Sequence, residues 1–537
     1  MDEHGGRLAV EVLQNHGVDT MFTLSGGHLF VLYDGAVQTG LRLVDTRHEQ
    51  SAAFAAEGFA KVTRRLGCVA LTAGPGVTNG VSAMTAARMN GSPVVVLAGR
   101  APQARWGSGS LQELDHIPIV QSVTKTAATA TSAGSIVVEV DAACRAARTP
   151  HRGPTFVDIP LDAFGPGSVD LPTVDDEAFR GSTPDPDAIA RVAALVAAAT
   201  RPVLVAGGDV YWAHAEDAMR AFVEAARVPT FVNGMGRGTL PADHDLAFAR
   251  ARSVALKEAD LVLVAGTPLD FRLGFGRFGD AQVVHLCDAS SEIAAHATLA
   301  ASTGGDLAAT FAGLAGAGAP PGRHDDWIAR LRADEQAKRA AELPLFEADS
   351  APIKPSRIYG ELRPRLDRDA IVIGDGGDFV SYAGKFVESF HPGTFLDPGP
   401  YGCLGMGPGY ALAAGVAHPD RQVVLLLGDG AVGFALGDFE SLVRHGVNVT
   451  AIVGNNGIWG LEKHPMQALF GYDVVAELAP GIRYDKVVEA LGGHGELVEA
   501  PGEIGPALDR AFSTPGVSLV NVLTDPSDAY PRSSNLA

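Results

Sequence analysis

The sequence is poor in cysteine and gives it no structural arrangement. Its four cysteines, Cys68, Cys144, Cys287 and Cys403, lie far apart and form no C-x-x-C pair. That excludes a disulfide framework and a zinc site built on paired cysteines; buried reduced thiols are the expectation. No stretch of about 18 uninterrupted apolar residues occurs, so no membrane span is expected. The opening MDEHGGRLAV lacks a basic segment followed by a long apolar one, so no secretory signal is visible and a cytoplasmic enzyme is the default. Basic residues are in deficit: 42 Lys and Arg against 62 Asp and Glu leave a formal charge of −20. A surface that acidic argues against non-specific nucleic-acid binding. It leaves a local phosphate site open, because backbone amides and a metal ion can serve one.

What is present is material for large cores. The 537 residues are 46% hydrophobic, which excludes general disorder. The length predicts about three or four domains. Short β-branched runs recur, among them 67–72, 93–98, 202–206, 260–265, 370–374, 422–427 and 449–453. Each is apolar on both faces and is separated from the next by amphipathic stretches, the pattern of parallel strands covered by helices. Pro-, Gly- and acid-rich segments at 164–186 and 313–326 read as linkers. They divide the chain into three doubly wound α/β domains: 1–165, 185–312 and 345–537.

The strongest chemical signal is in the third domain. The strand QVVLLL ends in Gly428-Asp429-Gly430, and 24 residues later the strand VTAIVG ends in Asn455-Asn456. Both polar clusters thus fall at C-terminal strand ends, where open α/β sheets bind ligands. Asp429 and the Asn456 amide are hard oxygen donors suited to Mg²⁺. Gly430 and Ala431 open a turn whose amides face a phosphate, with a helix over 434–445 expected to follow. Asp378 and Phe379 follow strand 370–374 and are candidates to help cradle a diphosphate. In the first domain, Arg47-His48-Glu49-Gln50 precedes an Ala-rich helix; taken alone, Glu49 reads as a helix cap. LTAGPGVTNGVSAM, with Pro75 and Asn79, reads as a glycine turn and a helix start.

Together these motifs resemble the thiamine diphosphate enzymes, in the branch of acetohydroxyacid synthases, 2-hydroxyacyl-CoA lyases and oxalyl-CoA decarboxylases. The resemblance runs over nearly the whole chain. It implies three domains: pyrimidine-binding, central and diphosphate-binding. It implies that Asp429, Asn456 and the carbonyl of Ile458 hold the metal, and that Glu49 bonds N1′ of the aminopyrimidine, so that N4′ removes the C2 proton of the thiazolium. Tyr401 to Gly407 resembles the loop beneath the bent cofactor, where Gly402 lies and Leu404 would wedge between the two rings. Gly26, Gly27 and His28 resemble the loop facing the thiazolium. Gln112 matches a glutamine near the reacting carbon. Trp459 and Glu462 lie just beyond the metal strand, where Glu462 would relay a proton. The central domain of relatives binds FAD, ADP or nothing; Arg237, Arg252 and Arg272 are its candidate cations for CoA.

The resemblance also implies a homodimer at minimum and a homotetramer by analogy, with the cofactor between the first domain of one subunit and the third of another. LSGGHLFVLYDG (24–35) is similar to the acetohydroxyacid synthases. LQELDHI, GCLGMGPGYALAAG, NNGIWG and the tail YPRSSNLA are closer to the CoA enzymes. The first reading is therefore a 2-hydroxyacyl-CoA lyase that releases formyl-CoA and an aldehyde or ketone. The alternative is an acetolactate synthase acting on pyruvate. A non-catalytic relative would have lost Glu49, Asp429 or Asn456, and all three are present.

Overall fold

The computed structural model describes residues 4–316, 322–528 and 530. The tail read as lyase-like and the centre of the second linker lie largely outside the described residues. Among the described residues, seventeen strands form three sheets. The first contains β1 (Thr20–Thr23), β2 (Arg42–Asp45), β3 (Gly67–Leu71), β4 (Val94–Arg100), β5 (Ala127–Thr129) and β6 (Thr155–Pro160) in the order 2-1-3-4-6-5. The second contains β7 (Pro202–Ala206), β8 (Thr230–Val232), β9 (Leu261–Ala265), β10 (Gln282–Cys287) and β11 (Ala301–Gly304) in the order 11-10-9-7-8. The third contains β12 (Ile371–Asp375), β13 (Phe395–Leu396), β14 (Val423–Gly428), β15 (Val449–Asn455), β16 (His494–Val498) and β17 (Val517–Leu523) in the order 13-12-14-15-17-16. The fold is α/β, with three parallel-sheet layers of the doubly wound kind. The central strands β3, β9 and β12 are buried at every residue, as strands covered on both faces must be.

Six helices bear on the site: α1 (Glu49–Thr63), α2 (Pro75–Met89), α3 (Gly377–Phe386), α4 (Gly407–Ala417), α5 (Asp429–Ala435) and α6 (Gly460–Phe470). Two compact units emerge. One comprises residues 4–179, 371–381 and 396–528, so the first and third sheets share it; the other holds residues 180–316, 322–370 and 382–395.

Within the first unit, α1 packs tightly on α4. A Cβ at Gly409 would stand 2.7 Å from the Ser51 carbonyl oxygen, and one at Gly58 would stand 2.9 Å from the Cα of Tyr410. Glycine is needed at both crossings because the backbones themselves are in contact. Between the helices lies a buried polar cluster. The Lys61 ammonium is 3.0 Å from Glu57 and donates to the Tyr410 hydroxyl (2.8 Å). That hydroxyl donates to Glu57 (2.7 Å). Asn90 and Ser92 donate to the same carboxylate at 2.8 and 3.0 Å, so each Glu57 oxygen is satisfied.

The second unit has its own core under β7 to β11 and contains a 22-residue helix, Asp325–Phe346. The buried Arg250–Glu342 pair ties that helix to the loop after β8. The four thiols are free; three are buried and Cys403 is half-buried. Among the described residues no helix is long and apolar enough to cross a membrane.

Candidate active site

Two groups of side chains stand out in the first unit. In the first group, His48 caps α1 by accepting the Gln50 N–H, which puts Glu49 in the first turn, its charge at the helix's positive end. Glu49 is 9% exposed, and Asn79 of α2 donates to its Oε2 at 3.0 Å. A Cβ at Gly76 would stand 3.6 Å from Glu49 Oε1. Helix α1 is held from the C-terminal part of the chain. Asp438 accepts the Arg47 N–H (2.7 Å) and the Ser51 hydroxyl (2.5 Å).

Thr72 joins this group to a second pair of candidates. Its Oγ1 is 3.4 Å from His28 Nδ1 and 3.5 Å from Gln112 Oε1. Gly26 and Gly76 both face it, each at a distance where a Cβ would collide. His28 is buried rather than on an exposed loop, and burial holds its imidazole below the usual histidine range. Gln112 is held at φ +58°, a conformation uncommon outside glycine. The structure thus gathers Gly26, His28, Glu49, Asn79 and Gln112 around Thr72 and the Gly74–Pro75 turn. Gly27 lies in the same loop, in a short 3₁₀ turn with His28.

The second group lies at the C-terminal ends of β12, β14 and β15. Asp429 begins α5 itself. The helix expected over 434–445 is therefore corrected: α5 covers Asp429–Ala435, a 3₁₀ turn follows, and a second short helix spans Phe439–Arg444. The cause is local. Gly428 is extended (φ −78°, ψ 154°) as N-cap, and Asp429 Oδ1 accepts the Gly430 N–H at 3.0 Å. The break at 436–438 then turns Asp438 towards α1. Asp429 Oδ2 accepts the Gly457 N–H at 2.7 Å. Burial lifts its carboxyl to about 6, and backbone amides are what oppose the rise.

The two asparagines divide the work. Asn455 is buried and donates to the Ile482 carbonyl (3.0 Å) and to Asn521 (3.1 Å), which anchors the strand. Asn456 is less buried, and its Oδ1 accepts the Ile458 N–H at 3.1 Å. Asp378 and Phe379 start α3 in the same place. The Asp378 carboxylate crowds Gly460, and the Phe379 ring covers Gly454. Trp459 lies over Gly430, where any Cβ would be 2.4 Å from the indole. Gly402 is exposed, Leu404 half-buried, and Met406 is the loop's core residue. Glu462 is exposed in the first turn of α6; its backbone N–H donates to the Trp459 carbonyl at 3.2 Å, while its carboxylate lies in solvent.

Asp375 and Tyr484 are structural here. Asp375 is fully buried and accepts the Gly405 (3.1 Å) and Gly407 (2.8 Å) amides, fixing the 402–407 loop. Tyr484 donates to the Asp429 carbonyl at 3.3 Å. In the second unit, two of the three candidate CoA cations are already engaged. Arg272 forms a fork with Asp270, and Arg237 donates to the Gly384 carbonyl and stacks on Phe395.

The second group has the chemistry of a metal–diphosphate site. It combines a buried carboxylate, a neighbouring amide oxygen, a helix start and a glycine floor that admits no side chain. Comparison with known proteins gives the family. Three family descriptions match: the N-terminal TPP binding domain of thiamine pyrophosphate enzymes over residues 3–119, their central domain over 189–314, and their C-terminal TPP binding domain over 375–522. The chain is 55% identical, over 99% of its length and 98% of theirs, to a probable acetolactate synthase of Mycobacterium bovis and to an acetolactate synthase large subunit of Mycobacterium tuberculosis. It is 33% identical to 2-hydroxyacyl-CoA lyase 2 of Caenorhabditis elegans, over 98% of this chain and 90% of that one. The chain belongs to the thiamine pyrophosphate enzymes, and is a thiamine diphosphate-dependent enzyme.

Proposed function

We propose that this enzyme is an acetolactate synthase. One observation carries the reading: 55% identity to acetolactate synthases across nearly the whole of both chains. Cleavage of 2-hydroxyacyl-CoA, which short segments of the sequence favour, takes second place. Its support is relatives of about one-third identity. In the proposed reaction, one pyruvate loses its carboxylate as CO₂. Its remaining two carbons are joined to the carbonyl carbon of a second 2-ketoacid; two pyruvates and a proton give acetolactate and CO₂.

Thiamine diphosphate, when bound, supplies an acidic ring carbon that adds to the ketoacid carbonyl and an electron sink for the pair left by departing CO₂. Asp429, the Asn456 side chain and the Ile458 carbonyl would hold Mg²⁺. The amides of Gly430 and Ala431, with Gly428, Asp378 and Phe379 beside them, would take the diphosphate. Leu404, half-exposed on a loop fixed by Asp375, would wedge between the two rings, with Trp459 and Gly402 also contacting the cofactor. Glu49 would hold a proton shared with N1′ of the aminopyrimidine, with Pro75 and Asn79 alongside. His28 and Gln112 would bond the ketoacid oxygens, burial holding the imidazole below the usual histidine range. Two copies are the proposed minimum, the Glu49 group of one subunit facing the Asp429 group of the other.

Product analysis by mass spectrometry tests the reading. Protein with thiamine diphosphate and Mg²⁺ is incubated either with pyruvate or with a short branched 2-hydroxyacyl-CoA. Acetolactate from the first alone is expected; formyl-CoA from the second alone would reinstate the lyase.

A further inference from the structure

The imidazole of His116 is fully buried at the centre of a short chain of hydrogen bonds. The Gly74 N–H donates to Nε2 at 2.9 Å. A backbone amide can only donate, so Nε2 is the acceptor and the ring proton sits on Nδ1. Nδ1 is 2.9 Å from Oδ2 of Asp158, which is itself fully buried. Arg100 donates to that same oxygen at 2.8 Å, and its guanidinium also reaches Asp115 at 3.3 Å. An arginine-backed carboxylate thereby fixes the tautomer of a histidine whose other nitrogen holds one backbone amide.

That amide is placed to matter. Gly74 is the N-cap of α2 at φ 61° and ψ −110°, a conformation side-chain-bearing residues rarely adopt. It has no side chain with which to cap the helix, so His116 caps from outside. Two residues on, Gly76 faces Glu49, and five residues on, Asn79 donates to it. On the other side, Gln112 lies four positions before His116 and packs on Gly74, where a Cβ would be 3.0 Å from the Gln112 Cβ.

We infer that His116 is a positioning residue for the reaction. By holding the Gly74 amide, it sets the Gly74–Asn79 segment against Glu49 and fixes the Gln112 segment beside it. The inference rests on the reading of Glu49 as the group that activates the cofactor.

The test reads proton exchange at C2 of thiamine diphosphate bound to the full-length protein, by NMR after acid quench, together with the cofactor dissociation constant. His116→Leu removes the acceptor and is expected to slow exchange about 10- to 100-fold, as loss of a supporting hydrogen bond does around other sites. His116→Gln, whose amide oxygen can still accept from Gly74, is expected to keep the wild-type rate. If His116→Leu does not fold, His116→Asn, too short to reach Gly74, takes its place. A wild-type rate in the variant without an acceptor overturns the inference. Equal slowing in His116→Gln does so as well, because packing and not the acceptor would then be the cause. Glu49→Gln serves as the control: if it leaves exchange unchanged, the underlying reading of Glu49 fails; if it slows exchange while His116→Leu does not, only the role of His116 falls.

Discussion

Asn79 donates from Nδ2 to Oε2 of Glu49 across 3.0 Å, so one carboxylate oxygen is occupied by a neutral donor and the other faces glycine at position 76. A carboxylate held this way is oriented without being neutralised by a cation. Glu49→Gln is therefore expected to lower turnover by about 10²–10⁴-fold, the usual worth of a general acid–base group. Thiamine diphosphate binding should persist. Steady-state kinetics with a cofactor titration checks this, and a Glu49→Gln enzyme of full activity would sink the mechanism.

Asp429 offers its carboxylate from the first residue of α5, with burial favouring the neutral form. A divalent cation would supply the charge it lacks. Asp429→Asn is expected to raise the Mg²⁺ needed for half-maximal activity by about 10- to 100-fold. Protein stripped with EDTA and titrated with Mg²⁺ gives the answer, and an unchanged curve would remove Asp429 from the metal site.

The Glu57–Lys61–Tyr410 cluster makes a prediction about stability. Lys61→Met leaves the Glu57 carboxylate buried without its cation and should destabilise the first unit by about 3–5 kcal/mol. The double variant Glu57→Gln/Lys61→Met should recover part of that loss. Urea unfolding followed in both variants measures the difference; equal losses would mean that the two charges are not coupled.

His285 gives a pH dependence of known sign. Its Nε2 donates to the Thr267 carbonyl (3.1 Å), and its Nδ1 accepts the Ala294 N–H (3.2 Å). Protonating Nδ1 would set donor against donor, and burial already holds the group below its usual value of 6.5. Its folded value is depressed, so its contribution is present above pH 6.5 and is lost as pH falls below it. The stability gap between wild type and His285→Gln should narrow between pH 7.5 and 5.5, by up to about 1.4 kcal/mol per pH unit. Buried Asp375, raised to about 6, acts in the opposite sense in both proteins and cancels in the comparison. A constant gap would refute the assignment.

The parts legible in the sequence share one property: their information is local. The β-branched runs that became β3, β9 and β14 are strands because a doubly buried strand needs apolar residues on both faces. The Asp429 and Asn456 clusters were found because each ends such a run. His116 had no such signal. Its partner is 42 residues away, and a lone histidine in a loop shows nothing until the fold brings Gly74 to it. Asp438 is more remote still, 391 residues from the amide of Arg47 that it accepts. The sequence places the start of α5 five residues late because Gly-Asp-Gly reads as a turn, whereas Gly428 is the extended N-cap and Asp429 is already the first helical residue. The helix Asp325–Phe346 fell between the expected domains because its apolar positions follow no clear helical stripe.

The pairing of α1 with α4 also sets a timetable for synthesis. Glu57 and Lys61 leave the ribosome long before Tyr410, which is 353 residues beyond Glu57. At about 5–20 residues per second, the face of α1 waits tens of seconds for the helix that covers it. The first sheet can form early, but a buried ion pair cannot close over a partner not yet made. The nascent chain must therefore carry the face of α1 that bears Glu57, Gly58 and Lys61 through the synthesis of the whole second unit. That face is the surface a chaperone would be expected to meet.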